Sequence, residues 1–168
     1  MKANGSFEIK DIPADTYRLR IFPAKALQDY FLKSVNLGGK DVTDSGFGVG
    51  GTSYSLEVIA SANGASVDGV VLDKDKPASD ARVICFPDAS HRERQDLYRV
   101  VRTDYRGRFS LYGLNPGEYR VFTLDDDVDE DEVGDPEFVH VHQSLGQNVR
   151  LDEGEHKSIV LRLAASDD

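Results

Sequence analysis

Apolar residues in this chain recur at every second position over short runs, and Gly, Pro, Asn or Asp interrupts each run. Period two is the spacing of side chains on one face of a β-strand, and no stretch longer than about ten residues holds the 3.6-residue period of an amphipathic helix. The chain is therefore expected to be all-β. Candidate strands are 6–10, 16–22, 30–37, 53–62, 65–72, 81–87, 97–103, 108–112, 118–124, 148–151 and 158–164. A strand about every 8–12 residues is the rhythm of an antiparallel Greek-key β-sandwich. Short helical turns are expected at 24–29 and 136–144.

An internal repeat then constrains the architecture. The stretch Gly5-Ser-Phe-Glu-Ile-Lys-Asp-Ile-Pro-Ala-Asp-Thr-Tyr-Arg18 lies on Gly107-Arg-Phe-Ser-Leu-Tyr-Gly-Leu-Asn-Pro-Gly-Glu-Tyr-Arg120. Glycine, phenylalanine, tyrosine and arginine coincide at one offset. The pattern predicts a hairpin: Gly opens a strand, Phe and the aliphatic two positions later face the core, and Tyr begins the return strand after a Pro-containing turn. Two sandwiches in tandem follow, residues 1–62 a partial one and residues 65–165 a complete one. The strands equivalent to 65–103 have no counterpart before Gly5. They are expected either upstream in a longer parent chain or in trans from another chain. Phe7, Ile9, Tyr17 and Leu19 would then be the edge or core positions of an incomplete sandwich, a state that attracts strand addition.

Asp68-Gly-Val-Val71, Pro77-Ala-Ser-Asp-Ala-Arg-Val83, Thr103-Asp-Tyr-Arg-Gly-Arg-Phe109 and Pro116-Gly-Glu-Tyr-Arg120 resemble the carboxypeptidase regulatory-like domain, a prealbumin-like sandwich related to Cna-B-type modules. The resemblance covers residues 65–164. It implies an accessory, non-catalytic module, carried in tandem by large secreted bacterial proteins. Phe109, Leu111, Tyr119 and Val121 would be core, and Gly107, Pro116 and Gly117 would set turns. Pro13-Ala14-Asp15 departs from the Pro-Gly turn in the earlier copy.

Charge and cysteine content exclude several classes. The net charge of -10 is uneven: residues 1–64 balance 7 basic against 7 acidic side chains, and nine acids without a base fall between Asp125 and Glu137. Nucleic acid is not an expected partner of such a surface. One cysteine, Cys85, permits no internal disulfide and reads as a small core residue within Arg82-Val-Ile-Cys-Phe86. No apolar run approaches the roughly 18 residues of a membrane span, and Met1-Lys2-Ala3-Asn4-Gly5 has no apolar signal-peptide region.

No motif carries convincing catalytic chemistry. Gly46-Phe-Gly-Val-Gly-Gly51 matches a dinucleotide-binding fingerprint by letter, but a strand follows where the phosphate site needs a helix N-terminus. Asp127, Asp129, Asp131 and Glu132 place hard oxygen ligands close together, a pattern that could take Ca²⁺ without forming an EF-hand. His140 and His142 would share a face if extended and point apart in a helix. Tyr98, Tyr105 and Tyr112 are the candidate platform for a glycan. The sequence therefore reads as a non-catalytic structural and interaction module, extracellular, in a larger secreted or envelope protein, without a cofactor unless calcium binds. Its expected partners are neighbouring domains or further copies of itself. The alternatives are a carbohydrate- or calcium-binding accessory module and a regulatory appendage of a peptidase.

Overall fold

The computed structural model describes residues 5–22, 24–51, 53–124 and 133–163. Nearly all of its regular structure is β-strand, as the alternation predicts. In the earlier part, β1 (Asp15–Tyr17), β2 (Phe31–Leu37), β3 (Lys40–Asp41), β4 (Phe47–Val49) and β5 (Leu56–Ser61) form two small antiparallel sheets, β1-β4 and β3-β2-β5. They enclose a modest core of Leu32, Val35 and Val42, with Leu19, Ile21, Leu37, Phe47, Leu56 and Val58 packed against it.

The later part is a fuller sandwich. β6 (Ala65–Asp73), β7 (Lys76–Pro77), β8 (Arg82–Pro87), β9 (Arg99–Arg102), β10 (Arg108–Leu114), β11 (Gly117–Leu124), β12 (Gln147–Leu151) and β13 (His156–Arg162) make two four-stranded sheets. One runs β10-β6-β13 with β7 on the end of β6, and the other runs β12-β11-β8-β9. Val67, Val71, Phe109, Leu111 and Leu161 of the first meet Val83, Cys85, Tyr119, Val121, Val149 and Leu151 of the second. Each such aliphatic side chain, withdrawn from water, contributes about 1.5–3 kcal/mol of hydrophobic stabilisation.

Two features differ from the sequence expectation. Gly-x-Phe followed by Pro-Gly-x-Tyr is not a hairpin, because β10 pairs with β6 and β11 pairs with β8 and β12, in different sheets. The turn at Asn115 and Pro116 is a corner that carries the chain across the sandwich. Also, β13 runs parallel to β6, with His156 opposite Ser66 and Ser158 opposite Asp68, so the sandwich is not purely antiparallel.

The run Val83-Ile-Cys-Phe86 is apolar at every position because β8 is covered on both faces. Ile84 and Phe86 point away from the main core into a second cluster with Phe122, Leu124, Val133 and Val139. The lid over it is the helix α1 (Pro136–His142), within the segment expected to turn helically. Asp135 caps α1 by accepting a 2.7 Å bond from the Glu137 amide, and Pro136 occupies the first turn where no amide bond is lost.

The offset that aligns Gly5 with Gly107 also aligns backbone pairings. Asp15 opposes Val49 and Tyr17 opposes Phe47, just as Gly117 opposes Leu151 and Tyr119 opposes Val149. The Tyr17 hydroxyl donates to the Pro13 carbonyl at 3.0 Å, and the Tyr119 hydroxyl donates to the Asn115 carbonyl at 3.0 Å. The aligned segments 6–12 and 108–114 behave differently: the later one is β10, whereas residues 6–12 belong to no sheet.

The two parts meet through close backbone contacts. The Gly64 amide donates to the Asp29 carbonyl at 2.8 Å, and a Cβ on Gly64 would stand 2.4 Å from that oxygen and 2.8 Å from the Gly113 Cα. Asn115 Nδ2 donates to the Leu32 carbonyl at 2.8 Å, tying the corner to β2.

Candidate interaction surfaces

Phe109 and Leu111 on β10 are 4% and 1% exposed. Their neighbour on β6 is Gly69, directly opposite Phe109, and a Cβ there would lie 2.5 Å from the Phe109 ring. The absence of a side chain on Gly69 is what lets the ring come this close to the strand. At the aligned positions, Phe7 and Ile9 are 43% and 65% exposed. Of the four residues singled out in the earlier part, Leu19 packs against the small core, Tyr17 is half-buried on β1, and Phe7 and Ile9 face solvent. Ile12 and Phe22 extend the exposed apolar set.

A polar joint links the two parts. Arg94 is 6% exposed and bonds Asp96 through Nε at 2.8 Å and Nη2 at 2.7 Å, while its Nη1 reaches Asp44 at 2.9 Å. Burial acts against the guanidinium charge, but the Asp96 and Asp44 carboxylates outweigh it and hold the group protonated well above its ordinary value. Beside it, His91 lies 3.8 Å from Asp44 and 3.4 Å from Asp88. Glu153 accepts from Lys33 at 2.7 Å and from Ser61 at 2.8 Å, and these bonds, Lys33 first, hold its carboxyl below the usual range. Arg18 also pairs with Glu93. A cleft of 260 Å³ opens between Lys33, Asp44, His91, Asn115 and Glu153. Lys33 is already matched to Glu153 and Arg94 to Asp44 along it, the pattern of a structural seam.

The parallel pairing of β13 with β6 assembles a group that sequence spacing could not show. Ser66 Oγ is 3.0 Å from His156 Nδ1, and His156 Nε2 is 3.4 Å from Asp68 Oδ2. Asp68 Oδ1 is buried and has no hydrogen-bond partner among the described residues. An open concavity of 910 Å³ runs past Asp68, Arg108, Ser110 and Ser158. Serine, histidine and aspartate are thus adjacent, but the side chains of His156 and Asp68 are 55% and 42% exposed, and water screens such a pair.

The three tyrosines stand in different settings. Tyr98 leans on Phe86 with ring centroids 6.4 Å apart and donates its hydroxyl to the Arg92 carbonyl at 3.0 Å. Tyr105 is 75% exposed in the turn before β10, and Tyr112 lies exposed on β10 itself. His140 and His142 are both on α1, where His142 stacks on Phe122. Gly46 to Gly51 hold strand β4 and lead to β5 with no helix between. The acidic segment containing Asp127, Asp129, Asp131 and Glu132 lies outside the described residues. Cys85 is fully buried in the main core, and burial pushes its thiol up to about 12.

Together the packed sheets define a protein of the β-sandwich class. No helix among the described residues is long and apolar enough to cross a membrane. No family model matches the chain, and no curated protein matches it. Among solved structures it is similar to a DUF3823 family protein from Parabacteroides merdae, at 16% identity and TM-score 0.35 over 58% of this chain and 44% of that one. It is similar to the major pilin subunit of Bacillus cereus at 10% identity and TM-score 0.36, over 80% of this chain and 55% of the pilin. It is also similar to a catechol 1,2-dioxygenase from an Acinetobacter species at 11% identity and TM-score 0.29, over 58% of this chain and 51% of the enzyme. The chain spans about half the length of each of these structures.

Proposed function

We propose that this chain is a non-catalytic structural and interaction module, built from two copies of one β-sandwich unit and displayed outside the cell by a larger secreted or envelope protein. The observation that carries the reading is the contrast between Phe109 and Leu111, buried in the later copy, and Phe7 and Ile9, exposed at the same repeat positions. A strand-forming segment with an apolar face and no sheet is a surface that gains free energy by pairing with another strand. Shared pairing register and the shared Tyr-to-carbonyl bond support the two-copy organisation. The resemblance to carboxypeptidase regulatory-like domains supports the extracellular setting and the accessory role. Labelling of intact cells of the source organism with an antibody to this chain tests the placement. Labelling without permeabilisation is expected, and labelling only after lysis overturns it.

A further inference from the structure

The apolar face at residues 5–9 has a specific complement. We infer that it takes a β-strand of the β6 type from a further repeat, in antiparallel register, with glycine opposite Phe7 and a residue other than an acid opposite Glu8. The inference rests on the interaction reading above and specifies its partner. In the later copy, Arg108, Phe109, Ser110 and Leu111 oppose Val70, Gly69, Asp68 and Val67. Carried across the repeat, Ser6, Phe7, Glu8 and Ile9 meet the same pattern of valine, glycine, a polar residue and valine.

Two constraints narrow the occupant. Gly69 leaves no room for a Cβ above Phe109, the nearest ring atom being 2.5 Å away, so the strand that covers Phe7 in the same way also needs a residue without a side chain. At the next position the later copy sets Ser110 against Asp68, whereas the earlier copy has Glu8. Like charges directly opposite each other on a sheet are unfavourable, so the incoming strand carries a basic or neutral residue there. A second folded copy of this chain does not qualify: its β6 already lies between β10 and β13, and carries Asp68 at the critical place.

Synthetic peptides test the match. The probes are Ser-Val-Lys-Gly-Val-Val-Leu, the same peptide with Asp in place of Lys, and the Lys peptide with Ala in place of Gly. Binding to the full chain is read by fluorescence anisotropy, and its location by hydrogen exchange of the backbone amides. The Lys-Gly peptide is expected to bind and to protect amides 6–12. The Asp version is expected to bind about threefold more weakly, and the Ala version about tenfold more weakly. Phe7→Ser with Ile9→Ser, both at exposed positions, is expected to abolish binding while leaving the melting temperature unchanged. Equal binding of the Gly and Ala peptides through Phe7 and Ile9 overturns the β6-type occupant and leaves the interaction reading standing. Failure of every peptide to bind through amides 6–12 takes both down.

Discussion

The Tyr119 hydroxyl donates a 3.0 Å hydrogen bond to the carbonyl of Asn115, at the corner where the chain passes from one sheet to the other. The phenol ring is 3% exposed, and burial raises its pKa far above the ordinary tyrosine value, so the hydroxyl remains a donor. The bond ties the first turn of β11 to the corner before it, as a tyrosine corner does in other sandwiches. Tyr119→Phe leaves the Asn115 carbonyl without this donor and is expected to cost about 1–2 kcal/mol in urea unfolding. Tyr17 makes the same bond to Pro13 with water at hand, so Tyr17→Phe is expected to cost under about 0.5 kcal/mol. Equal losses at the two sites would remove the argument from burial.

Gly69 and Phe109 should behave as one packing unit. Gly69→Ala drives a methyl group into the ring and is expected to destabilise the chain by about 1–3 kcal/mol. Phe109→Leu in the same protein removes the ring atoms that clash and leaves only the 2.6 Å approach of the new methyl to the Ile159 carbonyl oxygen. The double variant should therefore be less unstable than the sum of the two single ones, a non-additivity measurable in a double-mutant cycle.

Strands long enough to show alternation were legible from sequence: the expected 65–72, 81–87 and 118–124 correspond to Ala65–Asp73, Arg82–Pro87 and Gly117–Leu124. Lys40–Asp41, Phe47–Val49 and Lys76–Pro77 were not, because two or three residues carry no period. The Pro-Gly turn at the corner has the sequence of a hairpin turn, and local turn chemistry does not say which strands its arms will join. That choice is made by distant partners, here Ala65–Asp73 for β10 and Gln147–Leu151 for β11. The same limit hid the Ser66, His156 and Asp68 group, which exists only through a parallel pairing of strands 90 residues apart. Segment 6–10 has the strand pattern without a strand, since alternation records a face to be covered and not the presence of the cover.

Acid should loosen the fold through carboxylates held below their usual pKa. Glu153 is lowered chiefly by Lys33, Asp41 by the Thr43 hydroxyl, and Asp104 by the Arg108 amide. A carboxyl with a folded-state pKa below its unfolded value contributes stability above the unfolded value, and loses it as pH falls through the folded one. The urea midpoint should therefore hold from neutrality to about pH 4.5 and decline below about pH 4. Glu153→Gln and Asp104→Asn should each flatten that decline. A decline of the same steepness in both variants would place the acid sensitivity elsewhere.

Cys85 offers a probe of opening. Its thiol is fully buried, and burial raises its pKa to about 12, which leaves almost no thiolate at neutral pH. In the folded chain it should resist Ellman's reagent over hours, and in urea it should label at the rate of a free thiol. Rapid labelling of the native chain at pH 8 would show that the sheets part far more often than this core implies.

The Arg94 joint gives an asymmetric prediction. Asp96 holds the guanidinium through two bonds and its side chain is 13% exposed, whereas Asp44 makes one bond and is 57% exposed. Removing the inner carboxylate leaves a buried charge undercompensated, at a cost of about 3 kcal/mol. Removing the outer one exposes the guanidinium to water that already surrounds Asp44, at a cost below about 1 kcal/mol. Asp96→Asn should therefore lower the urea midpoint of the whole chain. Asp44→Asn should barely change it, yet should loosen the earlier part from the later one, because Asp44 is the member of the triad contributed by residues 5–63. Limited proteolysis then separates the two effects: Asp44→Asn should speed cleavage near residue 63 without changing the lifetime of the fragment that starts there. If Asp44→Asn unfolds both parts together, the joint is an integral piece of one core and the two parts do not separate at Gly64.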